Sequence, residues 1–304
     1  MKTLVSTRVL VRRRSLVLDW LVLVRPRMAA MVYLVALVGG LLAAAPLTDW
    51  ARAFEAAVWI TLVTACASIL NQVLERDTDG LMDRTKDRPL VTGRIVPRDA
   101  LFVGAACGAF GTLGLALSFN VLSALLALAT LVIYVGIYTP MKRVSSLNTV
   151  IGAIPGAAPP LLGYVALAGR PEPWAWSLFA ILFAWQFPHF MAIAWLYRAD
   201  YRRAGMRMLP ALPDSEGIAG RQAVLYAIAL LPVSLLPFIS GMAGFVYAFG
   251  AAGLGLAYLG ASVRFALAEN RARARTLLLV SLAYLPVLLA LILLDPMVRT
   301  AIVS

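Results

Sequence analysis

Charged side chains are scarce in this sequence. Only 14% of its 304 residues are Asp, Glu, Lys or Arg, whereas 62% are hydrophobic. A soluble domain typically carries about 25% charged residues. This composition excludes an ordinary water-soluble globule.

Cysteine and histidine are almost absent. The two cysteines, Cys66 and Cys107, both lie in apolar runs, and His189 is the single histidine. So few residues exclude a disulfide framework and a Cys/His metal cluster. We predict that both cysteines are small packing residues in helices. A Ser/His/Asp or Cys/His nucleophilic set is not evident either.

Long apolar runs are abundant, and a bilayer-crossing helix needs about 20 predominantly apolar residues. The sequence predicts an all-α membrane protein, a bundle of nine transmembrane helices. The predicted spans are residues 28–46, 54–74, 100–119, 121–139, 147–168, 174–197, 222–240, 243–263 and 276–294.

Acidic residues are outnumbered by basic ones, 15 to 27, and the net charge is +12. With the N-terminus placed in the cytoplasm, only Arg52, Arg170 and Arg299 fall on the opposite side. Because Lys and Arg concentrate on the cytoplasmic side of membrane proteins, we predict a cytoplasmic N-terminus and a C-terminus on the opposite side. The concentration of Lys and Arg in cytoplasmic segments of a membrane protein then explains the net positive charge, and we predict no nucleic-acid partner.

The first residues are basic and lack the small-residue cleavage site of a signal peptide. Their composition also allows a mitochondrial presequence, but we favour an amphipathic lead-in to the first span. We therefore predict a basic cytoplasmic segment, residues 1–27, followed by one nine-helix domain, residues 28–304.

A highly charged stretch, NQVLERDTDGLMDRTKDRPL at residues 71–90, directly follows the second apolar run. Asn71, Glu75, Asp79 and Asp83 recur every four residues, so a helix continuing out of the second span would carry them on one face. Like charges at this spacing repel each other, which favours a cation among them. Oxygen ligands of this kind suit Mg²⁺.

Basic residues follow at once: Arg84, Lys86 and Arg88. Mg²⁺ usually completes its coordination with waters and substrate phosphates, and these bases could hold phosphate oxygens. The stretch therefore indicates a phosphorylated, lipid-like substrate at the membrane surface. The alternative is a solvated loop bound to anionic lipid. Pro89 predicts that the helix ends just before it.

The same stretch resembles the Asn-x-x-x-Asp-x-x-x-Asp region of the intramembrane aromatic prenyltransferase superfamily. Its continuation, residues 82–90, resembles the haem O synthase branch, the protohaem IX farnesyltransferases. Residues 138–164 (YTPMKRVSSLNTVIGAIPGAAPPLLGY) and 185–210 (WQFPHFMAIAWLYRADYRRAGMRMLP) agree with that branch. The resemblance covers all nine predicted spans and implies nine helices around a central membrane cavity.

Three positions depart from the family pattern. Glu75 stands where the family commonly has Asp, and Arg207 stands where it often has Pro. The superfamily's second motif is often Asp-x-x-x-Asp, but Ala204 stands four residues after Asp200. A second metal site would therefore have fewer carboxylate ligands than in other branches.

The resemblance implies transfer of farnesyl from farnesyl diphosphate to a vinyl group of haem B. Water adds in the same reaction, which gives haem O for terminal oxidase assembly. Mg²⁺ would be the cofactor, and haem B would be a substrate. Haem A synthase and terminal oxidase assembly proteins are the partners it suggests. A bacterial inner membrane is favoured over a mitochondrial one.

Three rival functions remain open. A related intramembrane prenyltransferase could act on a quinone or chlorophyllide acceptor. A transporter predicts midplane charges and inverted repeats, whereas these acids cluster near one membrane face. A non-catalytic haem-binding assembly subunit would need His189 but not Asn71 or Asp79.

The predicted site residues combine the spacing with the resemblance. The predicted catalytic residues are Asn71, Glu75, Asp79, Asp83 and Asp200, of which Asn71, Glu75, Asp79 and Asp200 are the predicted metal ligands. The predicted substrate-binding residues are Arg84, Lys86, Arg88, Lys142, Arg143, Asn148, His189 and Tyr201.

Some of these residues have a simpler explanation. Lys142 and Arg143 could serve only as cytoplasmic anchors. His189 could be a neutral histidine bonded to a neighbouring helix rather than a residue facing the porphyrin. The PGAAPP segment, residues 155–160, is expected to break its helix, either to make room for a bulky substrate or for packing alone.

Overall fold

The computed structural model describes residues 15–44 and 50–303. Within these ranges every element is helical and no strand occurs. Nine of the described helices are long and apolar enough to cross a membrane. We number these spans in chain order: Pro26–Ala43, Trp50–Leu74, Pro97–Ser118, Val121–Met141, Asn148–Ala168, Pro173–Leu196, Ile218–Ile239, Phe245–Leu267 and Arg271–Leu294.

The prediction of nine spans is confirmed, with helix limits that differ by a few residues. Residues 1–14 of the predicted basic segment and the predicted end of the first span at residue 46 lie outside the described ranges. The remaining helices are short: Leu16–Val24, Arg76–Gly80, Arg198–Arg203, a 3₁₀ turn at Leu209–Ala211, and Pro296–Val303. We call Leu16–Val24 the amino-terminal helix.

Local sequence explains where several spans begin. Pro26, Pro97 and Pro173 each open a span, where a missing backbone N–H costs nothing. Asn120 caps the fourth span by accepting a hydrogen bond from Ser123 N at 2.8 Å. The same side chain donates to Val165 O at 2.9 Å, which ties this end to the fifth span.

The fifth and sixth spans are the most buried of the nine described spans, with 72% and 61% of the residues buried in their most apolar 18-residue stretches. The first span crosses the fifth at glycines that permit close backbone contact. A Cβ atom on Gly163 would lie 2.0 Å from Ala36 O, and one on Gly39 would lie 2.0 Å from Pro160 O. Small residues are what allow membrane helices to approach so closely.

The expectation that residues 155–160 break the fifth span is wrong. The helix runs from Asn148 to Ala168 with Pro155, Pro159 and Pro160 inside it. Prolines are tolerated in membrane helices when neighbouring helices hold the segment in place. Here the contacts of Pro160 and Gly163 with the first span provide that support.

Two long connections lie at one end of the bundle, which we call the charged end. They are residues 75–96, after the second span, and residues 197–217, after the sixth. The amino-terminal helix packs at this end as well. Its buried Asp19 pairs with Arg94 at 3.0 Å, and Gln72 Nε2 donates to Leu23 O at 2.7 Å.

The predicted continuous helix through Asp83 to Pro89 is only partly correct. Helical hydrogen bonding continues past the second span, since Glu75 N donates to Asn71 O and Asp79 N donates to Glu75 O. The helix then ends at Gly80, and residues 81–94 form turns. Glycine is a poor helix former. Met82 is buried in a separate apolar cluster, so the chain leaves the path of the helix after Gly80.

Candidate active site

Three of the predicted oxygen-bearing residues come together at the charged end: Asn71, Glu75 and Asp79. All three are at most 6% exposed. Each is in contact with a basic side chain. We call the group the inner cluster, which consists of Arg25, Asn71, Glu75, Asp79, Arg88, Thr139 and Lys142.

Asn71 links three parts of the chain. Its Oδ1 accepts a hydrogen bond from Arg25 Nη2 at 2.9 Å, and its Nδ2 donates to Thr139 Oγ1 at 3.0 Å. Thr139 follows a π-helical stretch, Ile133–Tyr138, in the fourth span. Thr139 Oγ1 donates back to Tyr134 O at 2.8 Å. π-Helical turns of this kind are frequent at functional sites.

Glu75 and Lys142 form an ion pair, with Lys142 Nζ 2.7 Å from Glu75 Oε1. The side chains are only 8% and 12% exposed. Burial alone would lower the pKa of Lys142, but Tyr138 and Glu75 beside it raise the pKa above its ordinary value. Lys142 therefore lies at the charged end as a buried base paired with Glu75.

Asp79 has one paired and one unpaired oxygen. Arg88 Nη1 donates to Asp79 Oδ2, whereas the buried Oδ1 has no hydrogen-bond partner. Burial raises the pKa of Asp79 above its ordinary value even though Arg88 favours the charged form. A buried oxygen without a partner is rare and costly, so this atom is suited to receive a ligand.

The inner cluster fits Mg²⁺ only if the substrate supplies further ligands. Among the residues that the structure describes, no three His, Cys, Asp or Glu side chains lie close enough to share a metal ion. Mg²⁺ is commonly bound by one or two carboxylates together with substrate phosphates and waters. Asp79 Oδ1 is without a partner, whereas Glu75 Oε1 and Asn71 Oδ1 already contact basic side chains. Together the three side chains provide that kind of incomplete oxygen set.

Asp83 and Asp200 lie in a second group, further out. Arg203 donates to both carboxylates, and Lys86 Nζ lies 2.9 Å from Asp83. The Asp83 side chain is 63% exposed. We call these four residues the outer cluster. The structure does not bring Asp83 or Asp200 into the inner cluster. The helix that carries Asn71, Glu75 and Asp79 ends before Asp83. Asp200 is buried in the short helix Arg198–Arg203 after the sixth span, where its carboxylate pairs with Arg203.

The outer cluster and Arg84 together link the two long connections, since Arg203 on the second connection contacts Asp83 on the first. Arg84 N donates to Asp200 Oδ2 at 3.4 Å, and Arg84 Nη2 donates to Tyr201 OH at 3.2 Å. The Arg84 guanidinium also lies 4.6 Å from the centroid of the Tyr197 ring. Arg84 and Tyr201 therefore contact each other, next to Asp200 of the outer cluster.

Two other predicted substrate-binding residues lie away from the inner cluster. Asn148 is fully buried, and its Nδ2 donates to Ser145 O at 2.6 Å and to Arg207 O at 3.1 Å. Arg207 N in turn donates to Lys142 O at 2.7 Å. Asn148 thus holds the second connection against the segment that carries Lys142. The Arg143 side chain is exposed.

His189 lies inside the sixth span and is half-buried. Its Nδ1 is 2.8 Å from Ser281 Oγ on the ninth span. Its ring stacks on Trp185 with centroids 5.1 Å apart. This contact is the one expected of a histidine bonded to a neighbouring helix, and a role facing the porphyrin stays a prediction.

Sequence reasoning missed Arg25 and Thr139. Arg25 is one of seven basic residues before residue 28, the predicted start of the first span, and its spacing does not separate it from the others. Thr139 is the last residue of the predicted fourth span, and its spacing does not relate it to Asn71. Only the packing of the first, second and fourth spans brings both residues to Asn71.

Proteins of a known family are similar to this chain over most of its length. The profile of the UbiA prenyltransferase family matches residues 32–292. A protoheme IX farnesyltransferase from Solibacter usitatus is 47% identical over 248 residues, which cover 81% of this chain and 85% of the relative. A protein of the same name from Koribacter versatilis is 41% identical, covering 92% of this chain and 94% of the relative.

Solved structures share the fold at low sequence identity. A UbiA homolog from Aeropyrum pernix superposes with a TM-score of 0.69 at 20% identity, covering 89% of this chain and 98% of the homolog. A UbiA homolog from Archaeoglobus fulgidus bound to GPP and Mg²⁺ gives a TM-score of 0.63 at 19% identity, covering 90% and 99%. With its nine spans and its match over residues 32–292, this multi-pass membrane protein belongs to the UbiA prenyltransferase family.

Proposed function

We propose that the protein transfers the farnesyl group of farnesyl diphosphate to a vinyl group of haem B and so makes haem O. The relatives named protoheme IX farnesyltransferase, up to 47% identical, support this choice of substrates. The observation that carries the chemistry is the inner cluster. There a partnerless carboxylate oxygen of Asp79 lies among basic side chains at one end of an apolar bundle.

In the proposed reaction the bond between C1 of farnesyl and the diphosphate oxygen breaks, and its electron pair leaves with the diphosphate. C1 bonds to the terminal carbon of the vinyl group. A water oxygen adds to the vinyl carbon next to the porphyrin ring and releases one proton. The products are haem O, with a hydroxyethylfarnesyl side chain, and diphosphate.

The residues of the inner cluster would act mainly by electrostatics. Arg88 and Lys142 would stabilise the negative charge that grows on the leaving diphosphate, an effect that is large in a site shielded from water. Asn71, Glu75 and Asp79 would hold Mg²⁺, which when bound supplies further positive charge to the leaving group. The apolar bundle would keep water from the allylic carbon until the vinyl carbon attacks.

The other predicted site residues take supporting places in this proposal. Five side chains would hold the two connections together over the diphosphate: Asp83, Arg84, Lys86, Asp200 and Tyr201. Asn148 would position the Lys142 segment. Asp200 becomes a metal ligand in this scheme only if the outer cluster rearranges when substrate binds.

The positive-inside pattern supports a cytoplasmic charged end, with the N-terminus on that side and the C-terminus opposite. The relatives from bacteria support a bacterial inner membrane. Haem O carries a farnesyl chain that favours the membrane over water, so an enzyme that oxidises it further, or a terminal oxidase assembly protein, is the partner we propose.

The direct test uses membranes that contain the expressed protein, incubated with haem B, farnesyl diphosphate and Mg²⁺. Mass analysis of the extracted haem is expected to show a product heavier by one farnesyl group and one water. Membranes carrying Asp79→Asn and a sample with chelator serve as controls. Recovery of unchanged haem B alongside a prenylated quinone precursor or chlorophyllide would contradict the proposed acceptor.

Substituting His189 tests the haem side of the proposal. In His189→Ala the apparent KM for haem is expected to rise about tenfold, on the order of one lost contact, while the KM for farnesyl diphosphate changes little. The reason is location, because His189 lies within the sixth span whereas the diphosphate-binding residues lie at the charged end.

Ser281→Ala is the matched control, because it removes the hydrogen bond to His189 but keeps the imidazole. It is expected to lower the thermal midpoint and to leave the apparent KM for haem close to that of the wild type. Equal losses for both substrates in His189→Ala, with a lower thermal midpoint, would show that His189 has only a structural role.

A further inference from the structure

A groove on the outer surface of the bundle lies between the eighth and ninth spans and has a volume of about 250 Å³. Six residues line it: Ala257, Gly260, Ala261 and Arg264 on the eighth span, and Thr276 and Val280 on the ninth. The inner cluster is built from other parts of the chain, around the first, second and fourth spans. The groove is therefore separate from the candidate active site.

The groove is open because small residues occupy this surface of the eighth span. Ala257 and Gly260 are exposed, and a Cβ atom on Gly260 would meet no other atom within 4 Å. Val280 on the ninth span contributes an aliphatic side chain to the opposite wall. Lipid tails are as apolar as leucine side chains, so an acyl chain matches this surface in its chemistry.

Two arginines stand where the groove reaches the charged end. Arg264 lines the groove, and its guanidinium forms no hydrogen bond or ion pair with any residue that the structure describes. Arg273 Nη1 donates to the backbone oxygen of Arg264 at 2.9 Å, which holds a second guanidinium next to this residue. A guanidinium has five N–H donors, so most of those on Arg273 stay available to a ligand.

The acidic residue of the same connection does not balance these charges. Glu269 is the single acid in residues 264–276 of the sequence. Its Oε1 accepts a hydrogen bond from Gly220 N at 2.7 Å, and its Oε2 accepts one from Trp195 Nε1 at 3.0 Å. The carboxylate is thus bonded to the sixth and seventh spans rather than to an arginine. Charge complementarity at this end of the groove therefore calls for an anionic partner.

We propose that this groove binds one anionic phospholipid, with its phosphate at Arg264 and Arg273 and one acyl chain along Ala257 and Gly260. Basic pockets between membrane helices are suited to anionic lipid headgroups, and guanidinium groups bind phosphate oxygens in pairs. The cations lie at the end of the span and the apolar groove lies deeper, which is the order of headgroup and tail in a bilayer. Lipid binding here is independent of the proposed reaction.

A second copy of the chain is the other occupant that would cover this groove. Two copies inserted in the same orientation would pair about a two-fold axis along the membrane normal, so the same residues of each would face each other. Arg264 and Arg273 of one copy would then lie opposite the same arginines of the other. Like charges placed opposite each other in an interface repel, so the arginines favour a lipid phosphate over a second copy.

The test measures binding of dioleoyl phosphatidylglycerol to the detergent-purified full chain by native mass spectrometry, with dioleoyl phosphatidylcholine for comparison. Wild type is expected to retain phosphatidylglycerol in preference. The double variant Arg264→Gln/Arg273→Gln is expected to weaken this binding about 30-fold, the effect of two basic residues at an anionic lipid surface. Arg271→Gln/Arg275→Gln is the matched control, since it changes the net charge equally at exposed residues outside the groove lining. Its binding should stay close to that of wild type.

Gly260→Leu tests the groove with both arginines in place. The new side chain would occupy open space, so the thermal midpoint is expected to stay the same while phosphatidylglycerol binding weakens about tenfold, the effect of displacing part of an apolar contact. Gly253→Leu is the matched control, because Gly253 also faces open space on the eighth span but does not line the groove. It should bind phosphatidylglycerol as wild type does.

Three results would overturn the inference: no preference for phosphatidylglycerol in the wild type, equal weakening in the two arginine double variants, or unchanged binding in Gly260→Leu. A wild-type dimer that Gly260→Leu converts into a monomer would also overturn it. That outcome would assign the groove to a second copy of the chain.

Discussion

Asp79→Asn is expected to lower kcat/KM for farnesyl transfer by about 10²- to 10³-fold, the usual effect of removing one group that stabilises transition-state charge. Asparagine keeps the shape of the side chain and can still accept a hydrogen bond from Arg88. It lacks the charge that the buried Oδ1 would offer to Mg²⁺. The measurement is turnover at limiting Mg²⁺, with the thermal midpoint recorded in detergent.

Asp83→Asn is the matched control, because it makes the same chemical change four residues further along. Its side chain is exposed and paired only in the outer cluster. Exposed ion pairs contribute little to stability, so a loss of no more than about fivefold is expected. Equal losses in the two variants, or near-normal turnover of Asp79→Asn at limiting Mg²⁺, would remove Asp79 from the metal site.

Lys142→Met is expected both to destabilise the protein and to prevent use of farnesyl diphosphate. The substitution leaves Glu75 buried without its partner, and breaking a buried pair in this way typically costs about 3–5 kcal/mol. It also removes one of the three cations of the inner cluster. The thermal midpoint and the apparent KM for farnesyl diphosphate report these two effects separately.

The double variant Glu75→Gln/Lys142→Met distinguishes folding from catalysis. It is expected to recover most of the thermal midpoint, since no charge is left unpaired, but not the activity. Arg143→Met is the control at the neighbouring base, whose side chain is exposed. Exposed substitutions usually change stability by less than about 0.5 kcal/mol. Recovery of activity in the double variant would mean that the pair is purely structural.

Much of the fold is predictable from composition alone. Apolar runs of about 20 residues can be satisfied in a bilayer only as helices, so the nine spans follow directly from the sequence. The four-residue spacing of Asn71, Glu75 and Asp79 also predicts their shared face, because the hydrogen bonding of the second span continues past its end. These features depend on neighbours in the chain.

Local patterns failed where long-range contacts decided the outcome. Asp83 continues the same spacing, yet burial of Met82 and the helix end at Gly80 turn it towards Arg203. The prolines of residues 155–160 predict a break, yet close packing against the first span keeps the fifth span helical. In both cases tertiary contacts outweighed the local preference.

By itself, the sequence determined the nine membrane helices, the charged end and three oxygen-bearing residues on one helical face. Only the tertiary structure separated Lys142 from Arg143, and Asp79 from Asp83, because residues of the same charge that lie close together in the sequence differ in burial and partners. It also brought Arg25 to Asn71 across 46 positions of sequence. The physical reason is that a charge acquires its role from the residues it is buried with, and those are chosen by helix packing rather than by spacing along the chain.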